Sequence, residues 1–487
     1  MTRPPGFVLR LQLAAALAVA TATLGLPPVF SPTVASATTG CTWTPLTSSD
    51  KVRYRVPSMV QGADGRLFVF AERRNDNADN DDEGNFDITM TTSSDGGCTW
   101  STPRVVADFG SSRVSNPVPV YVPSVGKVLL VTTVKAQDSR SSSGYYSYLH
   151  QQWISADGQE VTPLAEGRFT ATNHWPGMTG VGHGLVLSQG EHAGRIVLAL
   201  GSTRSDGKRV PRSLVSDDNG QTWSVGWEQA SPGKLKLIEG TVTELTDGSL
   251  LASYRDKGDG SPAPGANRVS ARSTDAGSSL STSFTAMSGV KTVPTGGSLL
   301  QLTGASNLLL LSSPSNISGK LTQRKGMRIF VSSDQARSWK KGLAIGGSND
   351  PAYYSDLVQM DDSRVGLVYE SGYGSGKTYW HKIAFTTVSI TALEQSLLPT
   401  VTKKKSPSVA GTMKVGKTVT AQPGTWSPTA TVTSYQWLRN GKPLTGQTRS
   451  SYRLAKADKG KKISVRIRLA RPGYQNASAT SSGRRVK

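Results

Sequence analysis

The stretch Tyr354-Ser355-Asp356-Leu357-Val358-Gln359-Met360-Asp361-Asp362-Ser363-Arg364-Val365-Gly366-Leu367-Val368-Tyr369-Glu370 decides the fold. Apolar and polar residues alternate on both sides of Asp361-Asp362-Ser363, the period-two pattern of two short strands joined by a turn. In such a hairpin the first residue of one strand lies beside the last of the other, so Tyr354 and Glu370 are expected side by side. The same shape runs from Glu239-Gly240-Thr241 through Thr246-Asp247-Gly248-Ser249 to Ser253-Tyr254-Arg255. Four more copies are Arg55-Val56-Pro57 to Glu72, Asn116-Pro117 to Thr133, Gly182-His183-Gly184 to Gly201, and Gly297-Ser298 to Ser313. Six antiparallel units, recurring at about sixty residues, predict radial repetition: an all-β, six-bladed propeller with about four strands per blade.

A second repeat agrees. Ser93-Ser94-Asp95-Gly96-Gly97-Cys98-Thr99-Trp100 and Ser216-Asp217-Asp218-Asn219-Gly220-Gln221-Thr222-Trp223 share one pattern, with weaker copies at Ser273–Gly277 and Ser332–Trp339. Asp and Gly make tight turns and the tryptophan packs between sheets. Each copy falls where a third strand would turn into a fourth, on the face away from the hairpin ends, so these residues read as structural.

Composition sets the outer limits. Of 487 residues 36% are hydrophobic and 51 are glycine, which suits a turn-rich chain of more than one domain. Residues 1–37 read as an export leader: Arg3 and Arg10, an apolar run from Leu11 to Leu26, and Ala35-Ser36-Ala37 before a cleavage point. The expected product is secreted, extracellular and retained at the cell surface through its tail, with no membrane insertion. The cysteines, Cys41 and Cys98, suit one disulfide in that setting. The five histidines lack metal-ligand spacing and there is no HExxH or CxxC, so no metal or cofactor is expected.

The net charge of +21 is unevenly spread. Residues 401–487 carry 19 lysines and arginines against one acid, Asp458, which gives +18 and leaves +3 for the first 400 residues. The organisation predicted is a propeller over 38–395, a linker over 396–406 and a basic module over 407–487. For an exported chain the partner of such a module is a cell-wall polymer or acidic glycan rather than a specific nucleic acid. Tyr435-Gln436-Trp437-Leu438 and Asp458-Lys459-Gly460 resemble an immunoglobulin-like sandwich with Trp437 in its core.

On a propeller the hairpin ends converge at one face around the axis. That face would collect Arg55, Glu72, Arg73, Arg74, Glu239, Arg255, Tyr354 and Glu370, with Arg324 ahead of a third strand and the acidic loop 75–86 nearby. Arginines from three blades aimed at one axis point to a bound carboxylate.

With Tyr54-Arg55-Val56-Pro57, the Glu239–Arg255 and Tyr354–Glu370 hairpins, Arg324-Lys325-Gly326-Met327 and the Asp-box repeats, the stretch from Cys41 to Leu393 resembles bacterial exo-α-sialidases. The resemblance implies that Arg55, Arg255 and Arg324 clamp the sialic-acid carboxylate, with Glu370 orienting Arg55. It also implies a tyrosine nucleophile, Tyr354, activated by Glu239, and an acid/base aspartate. Asp82 matches that aspartate best, with Asp81 and Asp79 as alternatives. A neutral phenol suits an anomeric carbon that already bears a carboxylate, because an anionic nucleophile would be repelled. Arg74 is expected to contact the sugar or support the acid, and Trp175 to wall an acyl or aglycone pocket or join the core. Ile238 departs from the family's usual Asn before the glutamate.

The expected activity is retaining hydrolysis of terminal α-linked sialic acids from glycoconjugates. The alternatives are a catalytically silent sialic-acid-binding propeller, or a hydrolase or trans-glycosidase for a related nonulosonic acid.

Overall fold

The computed structural model describes residues 43–49, 51–75, 84–137, 145–164, 177–203, 207–257, 268–317, 324–372 and 382–487. The leader, Cys41, the aspartates at 76, 79, 81 and 82, and Trp175 lie outside the described residues. The chain is all-β, and the one α-helix among the described residues, Ile390–Ser396, starts at a Ser389 side-chain cap on the Ala392 amide.

Among the described residues six antiparallel sheets precede that helix. The first holds Val52–Gln61, Leu67–Asn75, Phe86–Ser93 and Arg104–Ala107. The second holds Arg113–Val122, Lys127–Gln137 and Tyr145–Ile154. In the third, Gly177–Thr179 and Leu185–Val186 both pair with Ile196–Thr203, followed by Arg209–Ser216 and Ser224–Glu228. The fourth holds Leu237–Glu244, Leu250–Asp256, Arg268–Ser273 and Thr285–Ala286, and the fifth Ser298–Gln301, Leu309–Pro314 and Met327–Ser332. The sixth holds Ala352–Asp361, Arg364–Ser371 and Lys382–Ser389, and Leu46–Thr47 from the start of the described chain completes it.

Alternation explains how the sheets stack. Along Leu67–Asn75 nearly every residue is buried, yet the two faces meet different neighbours. Phe68 and Phe70 join Val128 and Leu130 of the second sheet, while Leu67 and Val69 join Val368 and Phe385 of the sixth. Hydrogen bonds link each sheet to the next: Asn116 N to Glu72, Thr179 N to Thr133, Ser188 N to Glu244, Leu299 N to Thr241, and Ser312 to Ser355. The sixth returns to the first through Met59 N, which donates to Asp356. The sheets form a closed, propeller-type ring.

The four Ser-x-Asp segments adopt one turn. Asp95, Asp218, Asp275 and Asp334 each accept from a Ser hydroxyl two residues back and from the amide four residues ahead. Each follows its sheet's third strand, as expected. The weaker copies make the same bonds, because Ser279 and Ser338 replace Thr without losing the hydroxyl. Cys98 is disulfide-bonded.

Two expectations need correcting. The third hairpin does not begin at Gly182: its first strand is split on either side of residues 180–184 and begins at Gly177. At Gly180 a Cβ would lie 2.1 Å from the Gly240 carbonyl, so sheets three and four approach there too closely for an ordinary strand residue. The linker over 396–406 also contains structure, since Thr402–Lys405 pairs with Thr425–Ser427.

The remaining chain has its own core around Trp437, with Val419, Tyr452, Ile463, Val465 and Ile467. One sheet orders Lys442–Pro443, Thr431–Arg439, Lys462–Ala470 and Ala477–Thr480, and another Ser408–Ala410, Thr418–Gln422 and Ser451–Arg453. Asp458 is wholly buried and accepts from Arg439, the Tyr452 hydroxyl and the Ala455 amide.

Candidate active site

The site is built where first strands begin. In sheets one, two and four the register slips near the start of the hairpin, between Arg55 and Ser58, Ser115 and Val118, and Ile238 and Gly240. The bulge residues Val56, Asn116 and Glu239 have φ of 49°, 52° and 52°. A left-handed non-glycine backbone costs roughly 1–3 kcal/mol and persists only where its surroundings hold it.

Two of the three are held by buried carboxylates from the preceding sheet. Glu370 Oε1 accepts from Val56 N at 2.7 Å and from Arg55 Nε at 2.8 Å. Glu72 Oε1 accepts from Asn116 N at 3.0 Å, while its Oε2 takes Arg74 Nη2 at 2.6 Å. The third is Glu239. Gly240 follows it because a Cβ there would meet the Tyr254 ring at 2.4 Å.

Glu239 is bound by two side chains from its own and another sheet. The Tyr354 hydroxyl donates to its Oε1 at 2.6 Å. Arg255 Nη1 donates to both Glu239 oxygens, at 2.9 and 2.7 Å, and to the Tyr354 hydroxyl at 3.1 Å. Burial alone would raise the Glu239 carboxyl, but Arg255, the Tyr354 hydrogen bond and Arg324 hold it below its ordinary value. Burial and then the Glu239 charge push the Tyr354 phenol well above its own. Burial opposes the charge on Arg255, yet Glu239 and Tyr354 outweigh it and hold the guanidinium firmly protonated. The resting site is therefore a carboxylate, a neutral phenol and a guanidinium in one hydrogen-bonded triangle.

The other two predicted arginines flank the same tyrosine. The Arg55 guanidinium carbon lies 5.9 Å from the centroids of both Tyr353 and Tyr354. That of Arg324, half-buried at the head of its sheet's third strand, lies 5.1 and 5.9 Å from them. Three guanidinium groups around one phenol can fix an anion above it.

Tyr354 and Glu370 are neighbours in the hairpin, as expected. Ala352 pairs with Ser371 and Ser355 with Tyr369, so the two tyrosines together oppose Glu370. Their side chains diverge, the carboxylate to Arg55 and the phenol to Glu239. Arg74 is buried, bonded to Glu72, and its guanidinium carbon lies 4.6 Å from the centroid of the Phe86 ring, at the start of the strand that follows the acidic loop. Asp87, in the strand that follows the acidic loop, is buried and accepts from Arg73 and Asn75. The acid candidates Asp82, Asp81 and Asp79 lie outside the described residues, as does Trp175.

Sequence reasoning assigned no role to Tyr353, Asn116, Asp356 or His183. Asp356 accepts from Met59 N at 2.8 Å and pairs with His183 Nδ1 at 2.8 Å. Burial opposes protonation of His183, but Asp356 wins and raises its pKa. A polar residue two places beyond Tyr354 in a strand was the available signal, since residues two apart lie on the same side of a strand. Among the described residues no three His, Cys, Asp or Glu side chains converge as metal ligands.

The BNR repeat-like domain model matches residues 65–367. Over 222 residues the chain is 29% identical to a sialidase of Paraclostridium sordellii, covering 42% of this chain and 53% of that protein. Over 357 residues it is 26% identical to a sialidase of Micromonospora viridifaciens, covering 66% and 50%. It is 25% identical over 367 residues to an exo-alpha-sialidase of Aspergillus fumigatus, covering 68% and 82%. The chain thus spans about half the length of the first two relatives. Among solved structures, Hadza microbial sialidase Hz136 matches with a TM-score of 0.57 at 20% identity, over 70% of this chain and 66% of that one. The intramolecular trans-sialidase from Ruminococcus gnavus matches with 0.58 at 16%, over 74% and 99%.

Proposed function

Because the chain belongs to the BNR repeat-like domain family, with sialidases as its relatives, we propose that it is a retaining exo-α-sialidase releasing terminal α-linked sialic acids from glycoconjugates. The observation that carries this reading is the Tyr354–Glu239–Arg255 triangle. A tyrosine bonded to a charged carboxylate is an activated nucleophile, and a buried phenol without a base would stay inert.

In the first step the Tyr354 phenolic proton passes to Glu239 as the phenolic oxygen bonds to the anomeric carbon. The bond from that carbon to the aglycone oxygen breaks, and an aspartic acid of the loop, Asp82 by sequence, protonates the departing oxygen. In the second step the same aspartate takes a proton from water, whose oxygen displaces the phenolic oxygen, and Glu239 returns the proton to Tyr354. Two displacements give retention. Arg55, Arg255 and Arg324 hold the sugar's carboxylate, which frees Arg255 to exchange part of its bonding with Glu239 for the substrate.

Turnover of a fluorogenic α-sialoside tests the reading, with Tyr354→Phe as the control. Turnover in the parent and its loss in the variant support it; sialoside binding without turnover in the parent would favour the lectin-like alternative. The likeness to intramolecular trans-sialidases gives the product analysis a second purpose. Free sialic acid is the predicted product, and a 2,7-anhydro sugar would reassign the reaction.

The reading extends to the whole chain as a secreted protein with a six-bladed propeller and an immunoglobulin-like basic module. The only carboxylic side chain of residues 401–487, Asp458, is wholly buried, so every side-chain charge this module exposes is positive. That supports a cell-surface or glycan polyanion as its partner.

A further inference from the structure

Below the triangle lies a second arginine to which the mechanism above gives no part. Arg268 opens its strand directly opposite Arg255, so the two side chains share one face of the fourth sheet. Arg268 is only 1% exposed. Its hydrogen bonds go to two main-chain carbonyls of the segment leading into the fifth sheet rather than to a carboxylate. Nη2 donates to Gly297 O at 3.0 Å and Nη1 to Thr295 O at 3.5 Å, while Nε has no hydrogen-bond partner. Burying a guanidinium on such terms is expensive. Burial pushes its pKa down to about 10, with Glu239 acting against that and Arg255 with it.

The segment it grips carries the reason. Between the two carbonyls sits Gly296, whose α-carbon abuts the nucleophile. A Cβ there would lie 2.7 Å from both Cδ1 and Cε1 of Tyr354 and 2.5 Å from Val181. Arg268 thus ties down the main chain on either side of the one residue small enough to back the phenol ring. The ring is also held by its hydroxyl bonds to Glu239 and Arg255, by the flanking Arg55 and Arg324, and by packing with Val56, Val181 and Tyr353.

We propose that Arg268 is a positioning residue for the Tyr354 nucleophile, bracing Gly296 against the phenol ring and setting the charge felt by Glu239 from beneath. This rests on the sialidase reading. The brace fixes the distance from the phenolic oxygen to the anomeric carbon, and a displacement near 1 Å costs about 100-fold in rate. Its charge favours the carboxylate form of Glu239 before attack. It also favours the phenolate that departs in the second step.

The test compares the full-length protein with Arg268→Met, Arg268→Lys and Gly296→Ala. Arg268→Met should lower kcat about 100-fold and leave binding of the 2,3-unsaturated sialic acid analogue within about threefold, because the arginine triad is intact. Gly296→Ala should show the same split without any change of charge. In Arg268→Met the Glu239 carboxyl should also titrate higher than in the parent. That is read by ¹³C NMR as the carboxyl signal lost in Glu239→Gln, and the reading needs no turnover. Arg268→Lys keeps the charge and reaches one carbonyl, so Glu239 should titrate as in the parent while kcat falls about tenfold; it carries the test if the methionine variant does not fold. Parent turnover with unchanged kinetics in these variants, equal losses of kcat and analogue binding, or an unmoved Glu239 titration in Arg268→Met would overturn the brace. A parent that turns over no sialoside would overturn the enzyme reading instead, with the Glu239 titration still deciding the electrostatic role of Arg268.

Discussion

At the residue scale one proton shared between Tyr354 and Glu239 governs the proposed chemistry. The carboxyl is held below its ordinary value and the phenol above its own, so the proton rests on the phenol and the base is ready over a wide acid range. Glu239→Gln removes the proton acceptor but keeps the shape, and kcat should fall by about 100- to 10,000-fold; it also takes the carboxylate from the buried Arg255, so the variant should melt below the parent near neutral pH. A depressed carboxyl contributes stability that is present above its unfolded pKa and lost as pH falls through its folded one. The parent's stability advantage over the glutamine variant should therefore shrink only in strong acid, which thermal melts at several pH values would show. His183 runs the other way. Asp356 raises its pKa against burial, so their pairing is fully present below the unfolded histidine value and is lost as pH rises through the folded value. The groups facing the imidazole are Asp356 and, through that carboxylate, the Met59 amide. His183→Gln should cost stability at mildly acidic pH and little in alkaline solution; a pH-independent loss would contradict the ion pair.

At the element scale the recurring device is a first-strand bulge held by a side chain from the preceding sheet. Glu370 holds Val56, and Glu72 holds Asn116. In the next sheet Thr133 takes the Thr179 amide in the same way with a hydroxyl. Glu72→Ala takes the Glu72 carboxylate from the buried Arg74 and leaves the strained Asn116 amide without its acceptor, a loss of about 1–3 kcal/mol measurable by denaturant unfolding. Asp218→Ala removes the centre of one Ser-x-Asp turn, far from the hairpin ends. It should cost about 1–2 kcal/mol and leave kcat alone, whereas a large kcat loss would contradict the structural reading of these turns. The hairpins and turns were legible in the sequence because strand alternation and Asp/Gly turn chemistry are local. The bulges were less so: nothing in Arg55-Val56-Pro57 announces a left-handed valine, because that conformation is imposed by Glu370 from the far end of the chain. Arg268 was hidden for the same reason, since its partners are main-chain carbonyls that have no sequence signature. The split in the third hairpin arises from a backbone contact between Gly180 and Gly240, which alternation cannot reveal.

At the scale of the whole molecule, ring closure does chemical work. Tyr354 from the sixth sheet meets Glu239 and Arg255 from the fourth, and Arg55 of the first is held by Glu370 of the sixth. No single sheet contains the site, so loosening the seam should reduce activity before global unfolding. The basic module adds a separate behaviour. Replacing Lys403, Lys404, Lys405, Lys461 and Lys462, all exposed, by glutamate should weaken retention on an acidic glycan matrix and lower the salt needed for elution. Hydrolysis of a small sialoside should be unaffected, and retention unchanged by those substitutions would contradict a polyanion partner. The central claim is that the ring delivers Tyr354 as a covalent nucleophile, and trapping addresses it most directly. A sialosyl fluoride carrying a second fluorine on the neighbouring carbon loses fluoride without needing the loop acid, and its electron-poor ring slows release of the glycosyl-enzyme. Mass spectrometry of the digested protein should find one sialosyl group on the peptide containing Tyr354, absent from Tyr354→Phe. Full turnover of the sialoside with no adduct at Tyr354, or an adduct on another residue, would contradict the account.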